Sequence, residues 1–89
     1  MNLLFNKALY KLDKGDYESG KKLIEEALET ETNEYELCGI LSCYVELLYE
    51  LEEYDEIPRF IKKYKELDVD DTYSKEIIEE IERLLEKYL

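Results

Sequence analysis

Apolar side chains recur at three- and four-residue spacing along five successive segments. Each segment is closed by a short turn, and none alternates with the two-residue period of a strand. This pattern buries one stripe of every helix and predicts an all-α fold of five helices. The first segment, residues 2–13, carries Leu4, Phe5, Ala8, Leu9 and Leu12 on its stripe. Lys14-Gly15-Asp16 stops it, because glycine adopts the left-handed conformation past a helix end and aspartate caps the next start. The second, residues 17–29, sets Tyr17, Gly20, Leu23, Ile24, Ala27 and Leu28 on one side. Asn33, with Glu36 three residues on, has the pattern of a capping box and opens the third helix.

That third segment, residues 34–51, is the longest and most apolar. Leu37, Ile40, Leu41, Tyr44, Val45, Leu48 and Leu51 form its stripe, widened by Leu47, so it should be the central helix. Gly39 inside it costs about 1 kcal/mol against alanine. Close approach of a neighbouring helix would offset that cost. Pro58 fits only a first helical turn, which places the fourth helix from about Asp55 to Leu67. Ile57, Phe60, Ile61 and Tyr64 face inward there. Beyond Asp68-Val69-Asp70-Asp71, a last helix over residues 72–88 has Ile77, Ile78, Ile81, Leu84, Leu85 and Tyr88 on its stripe.

Short turns make consecutive helices antiparallel neighbours. An internal repeat separates a closed bundle from a stacked array of helical hairpins. Gly15-Asp16-Tyr17-Glu18 returns 37 residues later as Glu52-Glu53-Tyr54-Asp55. Leu4 and Ala8 then match Leu41 and Val45, and Gly20 and Ile24 match Ile57 and Ile61. Residues 4–29 have a large residue at Leu4, small ones at Ala8 and Gly20, the Gly15-Asp16-Tyr17 turn, a bulky Ile24 and then Ala27-Leu28. In these features they resemble a tetratricopeptide repeat. The second unit, about residues 38–67, lacks the turn glycine, has Ile57 and Tyr64 where small residues are usual, and is three residues longer. Its helices should therefore pack at a wider spacing or an altered angle. The resemblance implies one domain of two hairpins (residues 2–29 and 34–67) and a capping helix. It also implies a role in binding another protein.

Composition narrows the chemistry. The 89 residues make one domain near the lower size limit for a self-sufficient core, and 45% apolar content is ample for folding. No apolar run of about 18 residues exists, and the N-terminal residues lack the pattern of an export signal, so a cytoplasmic location is expected. Abundant Glu and Lys with few thermolabile residues resembles thermophile usage. Without histidine there is no Ser-His-Asp or Cys-His arrangement and no His-assisted metal site. Cys38 and Cys43 are about 7.5 Å apart along one helix, beyond disulfide reach, and read as buried thiols. Asp68, Asp70, Thr72, Ser74, Glu76 and Glu79 have the spacing of a calcium loop, but Tyr73 stands where its sharp turn needs glycine. Those residues read instead as capping the last helix. Neither catalysis nor a cofactor or metal is expected.

The net charge of −12 is uneven. Residues 23–58 contain twelve acids and no lysine or arginine, whereas residues 1–22 carry five lysines and three acids. Such a stretch either keeps the surface soluble or steers a basic partner. Nucleic acid is disfavoured because phosphate contacts demand a basic surface. In tetratricopeptide-like arrays the first helix of each hairpin lines a groove. Carried over, the groove positions are Asn2, Phe5 and Leu9, then Gly39, Ser42, Glu46 and Tyr49, with Glu79, Glu82 and Glu86 from the last helix. Glu50 adds charge beside Glu46. The expected function is a scaffold or adaptor module binding a basic or amphipathic segment of another protein. The alternative is a small acidic inhibitor, antitoxin or immunity protein that neutralises a basic enzyme. A monomer or weak homodimer, joined through exposed Tyr10, Tyr35 and the last helix, is compatible with either.

Overall fold

Capping residues fix where the chain turns into helix. In the computed structural model, which describes residues 2–69 and 71–87, the Asn2 side chain accepts from the Phe5 N–H at 2.9 Å and starts α1 (Leu3–Asp13). Asp16 does the same for α2 (Tyr17–Thr30) through Ser19, and Asn33 for α3 (Glu34–Glu50) through Glu36. Each bond satisfies a donor that the first helical turn leaves open. α4 (Ile57–Lys65) and α5 (Thr72–Leu85) complete the five, and no strand occurs among the described residues.

Two boundaries differ from the sequence expectation. A 3-10 turn at Tyr54–Glu56 precedes α4, which begins at Ile57 with Pro58 in its first turn and ends at Lys65. Tighter winding at a helix entrance is common, and the proline ring is accommodated either way. α5 is helical to Leu85. Tyr88, expected on its stripe, lies outside the described residues, as does Asp70 of the acidic turn.

The 37-residue repeat is also a repeat of backbone geometry. After α1, Gly15 has φ +80°, its N–H bonds Leu12 O, and the Asp16 N–H bonds Lys11 O. After α3, Glu52 has φ +61°, its N–H bonds Tyr49 O, and the Glu53 N–H bonds Leu48 O. Both are Schellman endings, with the same hydrogen bonds at positions 37 residues apart. The missing turn glycine of the second unit therefore leaves the turn intact. Glu52 carries its strain instead.

α1 packs most extensively on α2, and α3 touches α2, α4 and α5, which makes it the central helix. Where α1 and α2 cross, Ala8 and Gly20 are both buried. A Cβ on Gly20 would stand 2.6 Å from Leu12 Cδ2 and 3.4 Å from Ala8 O, so a side chain there would have to displace Leu12. Gly39 is different. A Cβ there would meet nothing within 4 Å, so the close neighbouring helix expected from its sequence position is absent. Tyr17, expected on the inward stripe of α2, is exposed at the first position of that helix.

The core is one cluster running from Ala8 and Ile24 through α3 to Ile57, Phe60, Ile78 and Leu85. Tyr44 sits inside it, its ring meeting the Phe60 ring edge-on at 4.8 Å. Burial, and then the carboxylates of Glu25, Glu56 and Glu53, push its phenol well above the ordinary range. Its hydroxyl has no hydrogen-bond partner, Glu25 included. The helices of the first and second halves are tied by Lys21 Nζ, which lies 2.6 Å from Glu53 Oε1. At the N-terminal end, Glu31 accepts from the Asn2 side chain and from the Thr32 and Asn33 N–H groups. The Asn2 bond, followed by the Asn33 bond, lowers its carboxyl pKa.

Candidate functional site

The central helix leaves one stripe uncovered. On α3, Tyr35, Glu46 and Glu50 are exposed, Gly39 and Cys43 are half-buried, and their spacing of four, four, three and four sets all five on one side. The other flanks of the helix are occupied by its neighbours. The open side is thus an aromatic end at Tyr35, a depression at Gly39 where nothing stands within 4 Å of a Cβ position, and an acidic end. Cys43 lies between. Its thiol is pushed up to about 11 by burial first and then by Glu46 and Glu50, so it is protonated and unreactive at neutral pH. Cys38 is buried deeper in the helix packing, and both cysteines are free.

Two of the residues expected on this groove turn elsewhere. Ser42 is only 2% exposed. Its Oγ lies 3.0 Å from Gly39 O and 3.3 Å from Ser74 Oγ, and Ser74 in turn donates to Asp71 Oδ2 at 2.9 Å. Ser42 therefore belongs to the contact between α3 and α5 and is unavailable to a ligand, a correction to its groove assignment. Ser74, one of the calcium-spaced residues, is buried in that same contact. Tyr49 is half-buried against Tyr54, ring centroids 5.4 Å apart. Cys43 takes the place of Ser42 on the open stripe. Counting four from Gly39 points to Cys43, but only the docking of α5 shows which of the two adjacent residues is covered.

The remaining candidates fall on two other surfaces. Glu79, Glu82 and Glu86 border a cleft against α4, and the Lys65–Glu82 ion pair, 2.7 Å long, crosses it. Hollows of about 330 and 410 Å³ lie on either side of that pair. Phe5 is half-buried against the core, whereas Leu9 on the same helix is exposed. Asn2, the first groove position, spends its side chain on capping α1 and on Glu31. Of the candidate residues, then, Glu46 and Glu50 share the open α3 stripe with Gly39.

Among the described residues no group of three or more His, Cys, Asp or Glu side chains is placed to hold a metal ion, and no helix is long and apolar enough to cross a membrane. Comparison with protein-family models, with characterised proteins and with solved structures finds no match to this chain.

Proposed function

We propose that this chain is a protein–protein interaction module of two tetratricopeptide-like hairpins and a closing helix, without catalysis of its own. It holds a basic or amphipathic segment of a partner protein along the open stripe of α3. The repeated helix endings at Gly15 and Glu52 and the small-residue crossing at Ala8 and Gly20 support the hairpin reading. One observation carries the binding reading: Gly39 interrupts the longest helix at a cost of about 1 kcal/mol, yet nothing inside the chain fills the space above it. A partner's side chain is what that depression suits. Tyr35 supplies an aromatic anchor on one side, and Glu46 and Glu50 supply charge on the other.

Gly39→Leu tests this directly. It should leave the protein as stable or more stable, because leucine favours helix and its Cβ meets nothing within 4 Å, while capture of the partner from host lysate is lost. Glu46→Lys with Glu50→Lys should weaken the same capture. Unchanged recovery with both variants would overturn the reading. The acidic stretch also keeps a second reading in view, a small neutralising protein for a basic enzyme. A basic toxin or nuclease encoded next to this gene, and bound through the same stripe, would favour it.

A further inference from the structure

A second surface has the opposite chemistry. Between α1 and α2 lies an open groove of about 550 Å³, floored by Leu3, Leu4, Tyr10 and Leu23 and edged by Lys7 and Lys11. No carboxylate lines it, in a chain whose net charge is −12. Leu3 is 76% exposed and Tyr10 60%, so the floor is open to solvent. Among the described residues neither lysine forms an ion pair. From this we infer that the groove on α1 docks an acidic amphipathic helix of a partner protein, a site separate from the α3 stripe.

The occupant follows from length and charge. Leu3 to Tyr10 covers seven residues of α1, about 10 Å along the axis, which matches the i to i+7 anchors of a helix laid beside it. Lysines along the edge favour glutamates flanking those anchors. At about 0.15 M salt, exposed charges further than about 8 Å away are largely screened, so the lysines on the edge count for more than carboxylates remote from the groove. Asp16, in the turn after α1, is an acid whose charge reaches Lys11. A second copy using the same groove would set Lys7 and Lys11 against their own counterparts, which like charge opposes. An anionic bilayer gains only about 1 kcal/mol per lysine and meets the field of a strongly acidic protein. A chain able to hold a basic segment on α3 and an acidic helix on α1 would bridge two partners.

The test uses the whole protein and a synthetic, labelled helical peptide with leucines at i, i+3, i+4 and i+7 and glutamates on both flanks. A second peptide has lysines in place of the glutamates. In fluorescence anisotropy the acidic peptide should bind saturably. Its affinity should fall about tenfold or more with Lys7→Glu plus Lys11→Glu, and likewise with Leu3→Ser plus Tyr10→Ser, as expected for central contacts. All but half-buried Lys11 are exposed, and thermal melts verify that each variant is folded. Gly39→Leu should leave this binding unchanged, which separates failure here from failure of the α3 reading. The inference is overturned if the acidic peptide fails to bind saturably, or binds both double variants as well as it binds the native chain. It is equally overturned if the two lysines instead govern binding to phosphatidylserine vesicles, or if sedimentation shows a dimer that buries Tyr10.

Discussion

Glu52 takes a backbone conformation that its type does not prefer, and Cys43 has its titration moved by its surroundings. At Glu52 the backbone takes φ +61° with a Cβ present, a conformation that costs a non-glycine residue about 1 kcal/mol. The Schellman bonds and the packing on either side hold it there. Glu52→Gly should therefore raise the melting temperature by roughly 5 °C, corresponding to about 1 kcal/mol in a domain of this size. A fall in melting temperature would show that the strain is relieved in some other way. Cys43 is held protonated by burial and by its acidic neighbours. The thiolate is the reactive form, so alkylation by iodoacetamide should accelerate through about pH 11, not through the ordinary thiol value of 9.0. Glu46→Gln with Glu50→Gln should shift that profile only part of the way back, because burial is the larger cause. A profile centred at the ordinary value would contradict the burial of this thiol.

Helix placement decides which of two equivalent-looking residues matters. On α5, Ile77 and Ile78 both belong to the apolar stripe, but Ile78 is 1% exposed and Ile77 only half-buried. Ile78, Ile81 and Leu85 turn into the core, and Ser74 lies beside Ser42 where α5 meets α3. Ile78→Ala should cost about 3 kcal/mol through lost contacts and the cavity left behind. Ile77→Ala should cost no more than about half as much, as read from urea midpoints. Equal losses would mean that α5 sits in a different rotation. The crossing of α1 on α2 is just as local: Leu12 fills the space that a side chain at Gly20 would take, and Ala8 is fully buried. These positions could be picked out beforehand because helices can approach closely only where both partners are small.

Across the whole molecule, charge opposes compactness. Four ion pairs are formed among the described residues, none of them fully buried, and pairs of that kind contribute about 0–1 kcal/mol each. Against them stands the self-repulsion of twelve acids in a base-free stretch of residues 23–58. Raising salt from about 0.01 M to about 0.15 M shortens the screening length from about 30 Å to about 8 Å. It should relieve more repulsion than it removes attraction. The melting temperature should rise with sodium chloride, and a flat or falling series would assign the ion pairs more weight than their exposure allows.

The helices, their caps at Asn33 and Asp16, the turn at Gly15 and its echo 37 residues on were legible in the sequence. Each depends on residues within a few positions of one another, and local hydrogen bonding and apolar period are local properties. The 3-10 entry to α4 was not legible, since Pro58 is compatible with either start. The candidate site was legible only in part. Spacing along α3 could nominate Gly39, Ser42, Glu46 and Tyr49, but it took the docking of α5 to bury Ser42 and leave Cys43 open. Likewise Glu79, Glu82 and Glu86 border the cleft beside α4, where Lys65 pairs with Glu82. The sequence by itself determined that these residues would be helical and which broad side of each helix would be apolar. Only the tertiary structure decided which edge of each apolar side is covered, because that depends on neighbours far along the chain.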